Sequence, residues 1–369
     1  MARKPEGALR RGWTTGACAT AATKAAYTAL LTGQFPDPVT ITLPKGERPA
    51  FALARESLGQ GIASAAIVKD AGDDPDVTHL AVVQATLRPG PAGSGVVFKA
   101  GPGVGTVTKP GLPLPVGEPA INPVPRRMMQ AVVAEVAAEN GGSGDVEIEI
   151  SVDNGEALAR QTWNPRLGIL GGLSILGTTG VVVPFSCSAW IHSIHRGIDV
   201  ARASGLTHAA GCTGSTSEAA VQKLYGLPEE ALLDMGDFAG GLLKYLRLHP
   251  LPRLTLAGGF GKLCKLAAGH LDLHSGRSQV NFDLLAEVLA ELGASAGLVA
   301  EARGANTAKQ VLELANTETL PLADAVAARA RQTALGVLTG KQGKVETAVE
   351  VLVFDRAGNL VGKAAGWPS

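Results

Sequence analysis

The chain is poor in aromatic residues, with eight Phe, four Trp and three Tyr among 369, and it has no net charge, 33 Lys plus Arg against 33 Asp plus Glu. The missing charge argues against a duplex-DNA or membrane-surface binder that works through bulk electrostatics. Cysteine is scarce as well. Cys18, Cys187, Cys212 and Cys264 are scattered without a C-x-x-C pair, which argues against a disulfide framework and a zinc knuckle. Residues 167–191 lack any charge and are nominally long enough to cross a bilayer, but Gly168, Gly171, Gly172, Gly177, Gly180 and Pro184 interrupt them. That pattern predicts a glycine loop, a strand over 181–183 and a new helix, forming buried backbone between two domains. Arg3, Lys4, Arg10 and Arg11 precede a stretch holding Thr14, Thr15, Gly16, Thr20 and Thr23 that Lys24 interrupts, so no signal peptide is expected. The expectation is a soluble cytoplasmic protein.

What the chain does have is glycine, 47 residues, nearly twice the usual share of about 7%. Apolar residues make up 46%, enough for a large core. Residues 16–31 are Ala-rich with helical spacing and stop at Gly33. Strand-like runs follow at 39–43, 61–68, 79–87 and 96–99. Asn122, Pro123 and Gly141 bracket a second helix over 123–140, and alternation over 145–152 predicts a half-exposed strand. Beyond 181 the rhythm becomes strand, helix, strand: helices at 186–203, 218–224, 238–246 and 262–268, strands at 206–210, 232–235 and 254–257. Helices near 281–292, 306–315 and 322–335 and a hairpin over 345–362 complete it. The predicted fold is an α+β domain over residues 1–180, then a three-layer α/β domain, Rossmann-like with a mainly parallel sheet, over 181–340. A C-terminal hairpin over 341–369 is expected to pack back on one of the two.

Several stretches could carry chemistry. Thr14, Thr15 and Gly16 stand at the mouth of the first helix, where free N–H groups suit an anion, or where a Thr simply caps the helix. Cys18, one turn in, is a lowered-pKa thiol if exposed and a small core residue otherwise. Gly101-Pro102-Gly103-Val104-Gly105-Thr106 opens no helix, so it is no dinucleotide fingerprint and reads as a tight turn between strands. Arg126 and Arg127 in the first turn of a helix oppose its dipole, which suits either a carboxylate-rich ligand or acidic neighbours. Gly211-Cys212-Thr213-Gly214-Ser215 sits at a strand-to-helix turn, where a doubly wound sheet holds a nucleotide-like ligand, and Asp234 and Asp237 follow at the distance of a ribose-binding acid. Ser215 with Glu218 also fits a capping box. Gly258-Gly259-Phe260-Gly261-Lys262 lacks the Gly and hydroxyl residue of a P-loop. His270 with His274, and His192 with His195, share a helix face if those stretches are helical, yet neither pair has a metal-protease spacing, and no protein-bound metal is expected.

Taken together, several strings resemble one family: Gly12-Trp13-Thr14-Thr15-Gly16-Ala17-Cys18-Ala19, Gly101 through Leu112, Gly117-Glu118-Pro119-Ala120-Ile121-Asn122-Pro123-Val124-Pro125-Arg126, Gly172-Leu173-Ser174-Ile175-Leu176-Gly177-Thr178-Thr179-Gly180, and Gly269-His270 with His274-Ser275. They are similar to the cobalt-precorrin-5B C(1)-methyltransferase (CbiD) family of anaerobic cobalamin biosynthesis. Trp13 and Ala17 depart from it, standing where a smaller aromatic and a hydroxyl residue are expected. The resemblance implies S-adenosylmethionine as methyl donor and a flat cobalt-corrinoid edged with carboxylates as substrate, with cobalt present only as part of that substrate. C-1 of cobalt-precorrin-5B would be methylated to give cobalt-precorrin-6A. On this reading Gly211, Thr213, Gly214 and Ser215 hold the donor with Asp234 or Asp237 on its ribose. Thr14, Thr15, Gly16, Lys109, Arg126 and Arg127 line the macrocycle in a cleft between the domains. His270 or His274 bonds a substrate side chain or approaches the cobalt. No nucleic-acid or membrane partner is expected, and self-association is left open. The alternatives are a non-catalytic tetrapyrrole carrier and a nucleotide-dependent oxidoreductase or kinase.

Overall fold

The structure, a computed structural model, describes residues 7–340, 343 and 345–367. Arg3 and Lys4 lie outside the described residues. The chain divides into two compact units, Met1–Cys187 and Ser188–Ser369.

In the first unit, helix α1 (Thr15–Thr32) is buried on nearly every side, as an Ala-rich helix without a polar stripe should be, and Gly33 ends it in the left-handed conformation. Five strands form the main sheet: β1 (Arg55–Gly59), β2 (Ile62–Val68), β3 (Val82–Pro89), β4 (Val96–Ala100) and β5 (Val146–Val152). Their order in the sheet is β1-β2-β3-β5-β4, antiparallel except for the parallel β5–β4 pair. Val146, Ile148, Ile150 and Val152 alternate into the core, the period-2 pattern of a one-sided strand. Helix α2 (Pro123–Asn140) occupies the expected span, with Pro123 at its start and Gly141 left-handed past its end. Met129, Val132, Val133 and Val136 of α2 join α1 and the sheet in one core.

The uncharged stretch after Leu167 is no long helix. It is threaded through the first unit as two-residue strands: Ile169–Leu170 on Thr106–Val107, Gly172–Leu173 on Gly103–Val104, and Val181–Val182 on Gly12–Trp13. The last pairing keeps residues 181 and 182 in the first unit. Burial there is partial, because Leu170, Leu176 and Val183 are exposed.

Helix α3 (Cys187–Ala203) enters the second unit at its second residue, and the unit continues through β6 (His208–Cys212), α4 (Ser215–Tyr225), β7 (Leu232–Asp234), α5 (Ala239–Leu246), β8 (Arg253–Gly259) and α6 (Phe260–Ala267). Helices α7 (Phe282–Glu291), α8 (Ala296–Arg303), α9 (Ala308–Thr317) and α10 (Leu322–Thr339) follow, then β9 (Ala348–Phe354) and β10 (Leu360–Ala364). Helix α8 was not expected from the sequence. The sheet order is β7-β6-β8-β9-β10, parallel up to β9. The last two strands form an antiparallel hairpin whose first strand pairs with β8, so the hairpin completes this sheet. Strand alternation divides its faces. Ala209, Leu254, Leu256, Val349, Val351 and Val353 pack in one cluster with apolar residues of α3, α5, α6 and α10. Ala210, Cys212, Ala257, Leu352 and Phe354 meet Val221 of α4 in another.

Candidate functional site

Strand order places a topological switch point in the second unit. β6 lies between β7 and β8, so the chain leaves β6 to one side and later returns on the other. Open α/β sheets bind ligands outside the carboxyl ends of strands at such a point. Three segments converge there. The Met235 and Gly236 N–H groups both donate to the Cys212 carbonyl, at 3.0 and 3.1 Å, and the Thr213 N–H donates to Ala257 at 2.9 Å. A Cβ on Gly258 would lie 2.6 Å from Thr213 Oγ1, so only glycine lets these two turns pack. Added side chains at Gly214 or Gly259 would meet nothing within 4 Å; both face open space.

Gly214, not Ser215, precedes helix α4, with extended backbone at φ 170°. Ser215 is the first helical residue, so the expected Ser215–Glu218 capping box does not form. The Ser217 hydroxyl instead donates to the Gly214 carbonyl at 2.8 Å. Asp234 ends β7, and its carbonyl accepts from Trp190 Nε1 at 3.0 Å. Asp237 is buried and ion-paired with Lys262, and its carbonyl accepts the Leu273 N–H at 2.8 Å. The sequence reading passed over Lys262 with the failed P-loop. Its signal was a cation just inside a helix that opens on a glycine turn.

His270 and His274 are exposed and lie in an irregular segment, so they share no helix face. The reason is local. Lys265 Nζ donates to the Leu273 carbonyl at 2.9 Å, and Asp272 accepts the His274 N–H at 3.0 Å, which spends the groups a helix would use. His274 Nδ1 accepts from the Gly276 N–H at 3.0 Å, fixing the neutral ring's proton on Nε2. His192 and His195 do lie on α3. His195 stacks on Tyr245 at 4.0 Å with Nε2 against the Gly241 carbonyl at 3.3 Å, and burial lowers its pKa. Among the described residues no group of three or more His, Cys, Asp or Glu could hold a metal ion.

In the first unit most of the expected anion contacts are already spent. Thr14 Oγ1 accepts the Ala17 N–H at 3.2 Å, the Gly16 N–H donates to Leu176 at 3.0 Å, and Thr15 Oγ1 accepts the Leu176 N–H at 3.0 Å. All three residues are buried. They cap α1, one of the two alternatives the sequence leaves open, and clip the 174–177 loop onto it. Arg126 is likewise turned inward. Its guanidinium donates to the Ile121 and Pro119 carbonyls at 2.8 and 3.0 Å, pairs with Glu118 at 2.9 Å and lies over Phe98. Arg127 is exposed, and the Lys109 stem lies across Gly168 with the residue half-buried. Cys18 is fully buried and burial pushes its thiol up to about 12, so it is a core residue. The glycine loop at 101–106 opens no helix, as expected; Gly103 and Val104 pair with Gly172 and Leu173.

Comparisons with known proteins give the family. The CbiD family model matches residues 2–184, and the model of the CbiD C-terminal domain matches residues 272–365. The cobalt-precorrin-5B C(1)-methyltransferase of Paramagnetospirillum magneticum is 66% identical over 97% of this chain and 99% of its own length. The enzymes of that name from Brucella anthropi and Brucella abortus are each 62% identical, covering 96% and 98% of this chain and 95% and 97% of their own. A crystal structure of the cobalamin biosynthesis protein CbiD from Archaeoglobus fulgidus matches with a TM-score of 0.40 and 27% identity, over 74% of this chain and 84% of that one. The chain belongs to the CbiD family.

Proposed function

We infer that the chain methylates C-1 of cobalt-precorrin-5B to give cobalt-precorrin-6A, a step of anaerobic cobalamin biosynthesis carried out in the cytoplasm. The observation that carries this is identity of 62–66% to methyltransferases of that name over nearly the whole chain. The donor is S-adenosylmethionine, which supplies an electrophilic methyl group on a sulfonium. The electron-rich ring carbon of the macrocycle is the nucleophile, so the protein contributes orientation and electrostatic fit rather than an activated side chain. That agrees with a chain whose Cys18 and Cys264 are buried and inert.

We read the second unit as a Rossmann-like, three-layer domain with the donor at the carboxyl end of β6. Gly211, Thr213, Gly214 and Ser215 would form the cradle and Asp234 would accept from the ribose hydroxyls. Open space over Gly214 and Gly259 supports this placement. Lys109 and Arg127 are the cations best placed to meet macrocycle carboxylates. Arg126 and the Thr14–Gly16 turn would act beneath them, by holding the 118–121 and 174–177 loops. His270 and His274 are accessible and would bond a substrate side chain or approach the cobalt.

The first measurement is calorimetry of S-adenosylmethionine, with and without a cobalt-corrinoid. Saturable binding and a methylated macrocycle by mass spectrometry are expected. Corrinoid binding with no donor affinity in either titration would favour the carrier reading.

A further inference from the structure

We propose that Asp237 and Lys262 together read the α-amino-carboxylate end of the methyl donor. The proposal rests on the donor lying at the switch point at the end of β6. The two residues belong to the segments that follow β7 and β8, the strands on either side of β6. Their ion pair therefore closes across the carboxyl end of the strand between, spanning two inter-strand spacings of about 4.8 Å each. The pair runs from the buried Asp237 to the part-exposed Lys262, so it reaches solvent at the end of the sheet.

The chemistry of the pair selects a zwitterion. An α-amino acid carries an ammonium and a carboxylate on one carbon, so a site that reads both needs an acid and a base side by side. A ribose diol needs only an acceptor. The Asp237 side chain is nine-tenths buried, at 10% exposure, with one carboxylate oxygen on Lys262 and no partner for the other among the described residues. Its backbone is fixed by the bond from Leu273. Lys262 is the mobile half, at 37% exposure on a flexible stem. One turn along α6, Lys265 is buried and pinned to the Leu273 carbonyl, and its pKa is lowered by burial first and by Lys262 second. It supports the floor beneath the pair. On binding, the ligand's ammonium takes the place of Lys262 on Asp237 and Lys262 moves to the carboxylate, so one ion pair is exchanged for two.

The test is calorimetry on the full chain with two probes, each titrated with and without a cobalt-corrinoid. S-adenosylhomocysteine carries the amino-acid end; methylthioadenosine lacks it. Lys262→Met and Asp237→Asn should each weaken S-adenosylhomocysteine by about tenfold or more and leave methylthioadenosine within about twofold. Lys262→Arg should recover most of the loss, and thermal unfolding verifies that each variant is folded. Unchanged S-adenosylhomocysteine binding, or equal weakening of both probes, would overturn the proposal. Gly214→Val fills open space and should weaken both probes. If it changes neither, the donor does not lie at this switch point; if it weakens both while Lys262→Met changes nothing, only the amino-acid assignment fails. A wild-type chain that binds neither probe with or without the corrinoid overturns both.

Discussion

Lys69 is one of the largest fully buried side chains, at 1% exposure, and its ammonium bonds Asp76 Oδ2 at 2.7 Å. Asp76 Oδ1 in turn accepts from the Thr78 N–H and hydroxyl at 2.7 and 2.6 Å. Breaking a buried pair from one side leaves an uncompensated charge, which costs about 3–5 kcal/mol, whereas replacing both partners costs much less. Asp76→Asn should therefore lower the unfolding temperature more than the Lys69→Met, Asp76→Asn double variant does, by calorimetry. The pH response has a defined sign. Burial pushes the Asp76 carboxyl up, but the Lys69 ammonium and the Thr78 donors together hold it below the ordinary carboxylate range. A group depressed in the fold adds stability at neutral pH that is lost as pH falls through its folded value. Acid unfolding of Asp76→Asn should be correspondingly shallower; an unchanged slope would count against the pair. Arg126 marks the limit of reading at this scale. Two arginines opposing a helix dipole were legible as an oddity, but sequence could not say whether their partner was a ligand or the chain itself. For Arg126 it is Glu118 and two carbonyls of the same loop.

Elements were legible where backbone chemistry punctuates them. Gly33 and Gly141 both end helices with positive φ, and Pro123 opens α2, so those bounds needed no tertiary information. Helix α8 was missed because it is short, with Gly297 at its second position and only Leu298 and Ala302 fully buried. Whether the segment holding His270 and His274 was helical stayed open in the sequence, because what keeps it irregular lies elsewhere: Lys265 and Asp237 take both backbone groups of Leu273. Lys265→Met removes the donor to that carbonyl at a cost of about 1–3 kcal/mol. Amide exchange over 269–276 should rise well above that of the rest of the unit, and uniform acceleration would refute a local role. The glycine string at 101–106 has an analogous explanation. Gly103 sits at φ 79°, and a Cβ there would lie 2.0 Å from the Val152 carbonyl. Its freedom serves contact between backbones of the first unit. Gly103→Ala should cost about 1–3 kcal/mol from conformation alone, and more from the clash, as measured by denaturant unfolding.

At the scale of the molecule, the change from antiparallel to parallel architecture was legible in the change of rhythm after residue 181, because alternating short strands and helices admit few other solutions. Which strand would be central was not legible, since that depends on crossover direction, and so the three segments that meet at the end of β6 could be suspected only singly. Composition bears on capture of the substrate. With 33 positive and 33 negative side chains the chain generates no net field to steer a carboxylate-rich macrocycle from a distance. On the proposed placement of the macrocycle, attraction falls to local cations such as Lys109 and Arg127, whose influence salt screens within a Debye length of about 8–10 Å. Arg127→Gln should raise KM for the macrocycle with kcat nearly unchanged, because the residue is exposed and its loss leaves the packing intact. For the same reason, kcat/KM of the wild type should fall by less than about tenfold between low and physiological salt, against the 10–1,000-fold range of strongly steered encounters. A steeper fall, measured by initial rates across that range, would mean that the cations are concentrated into a single field around the macrocycle site.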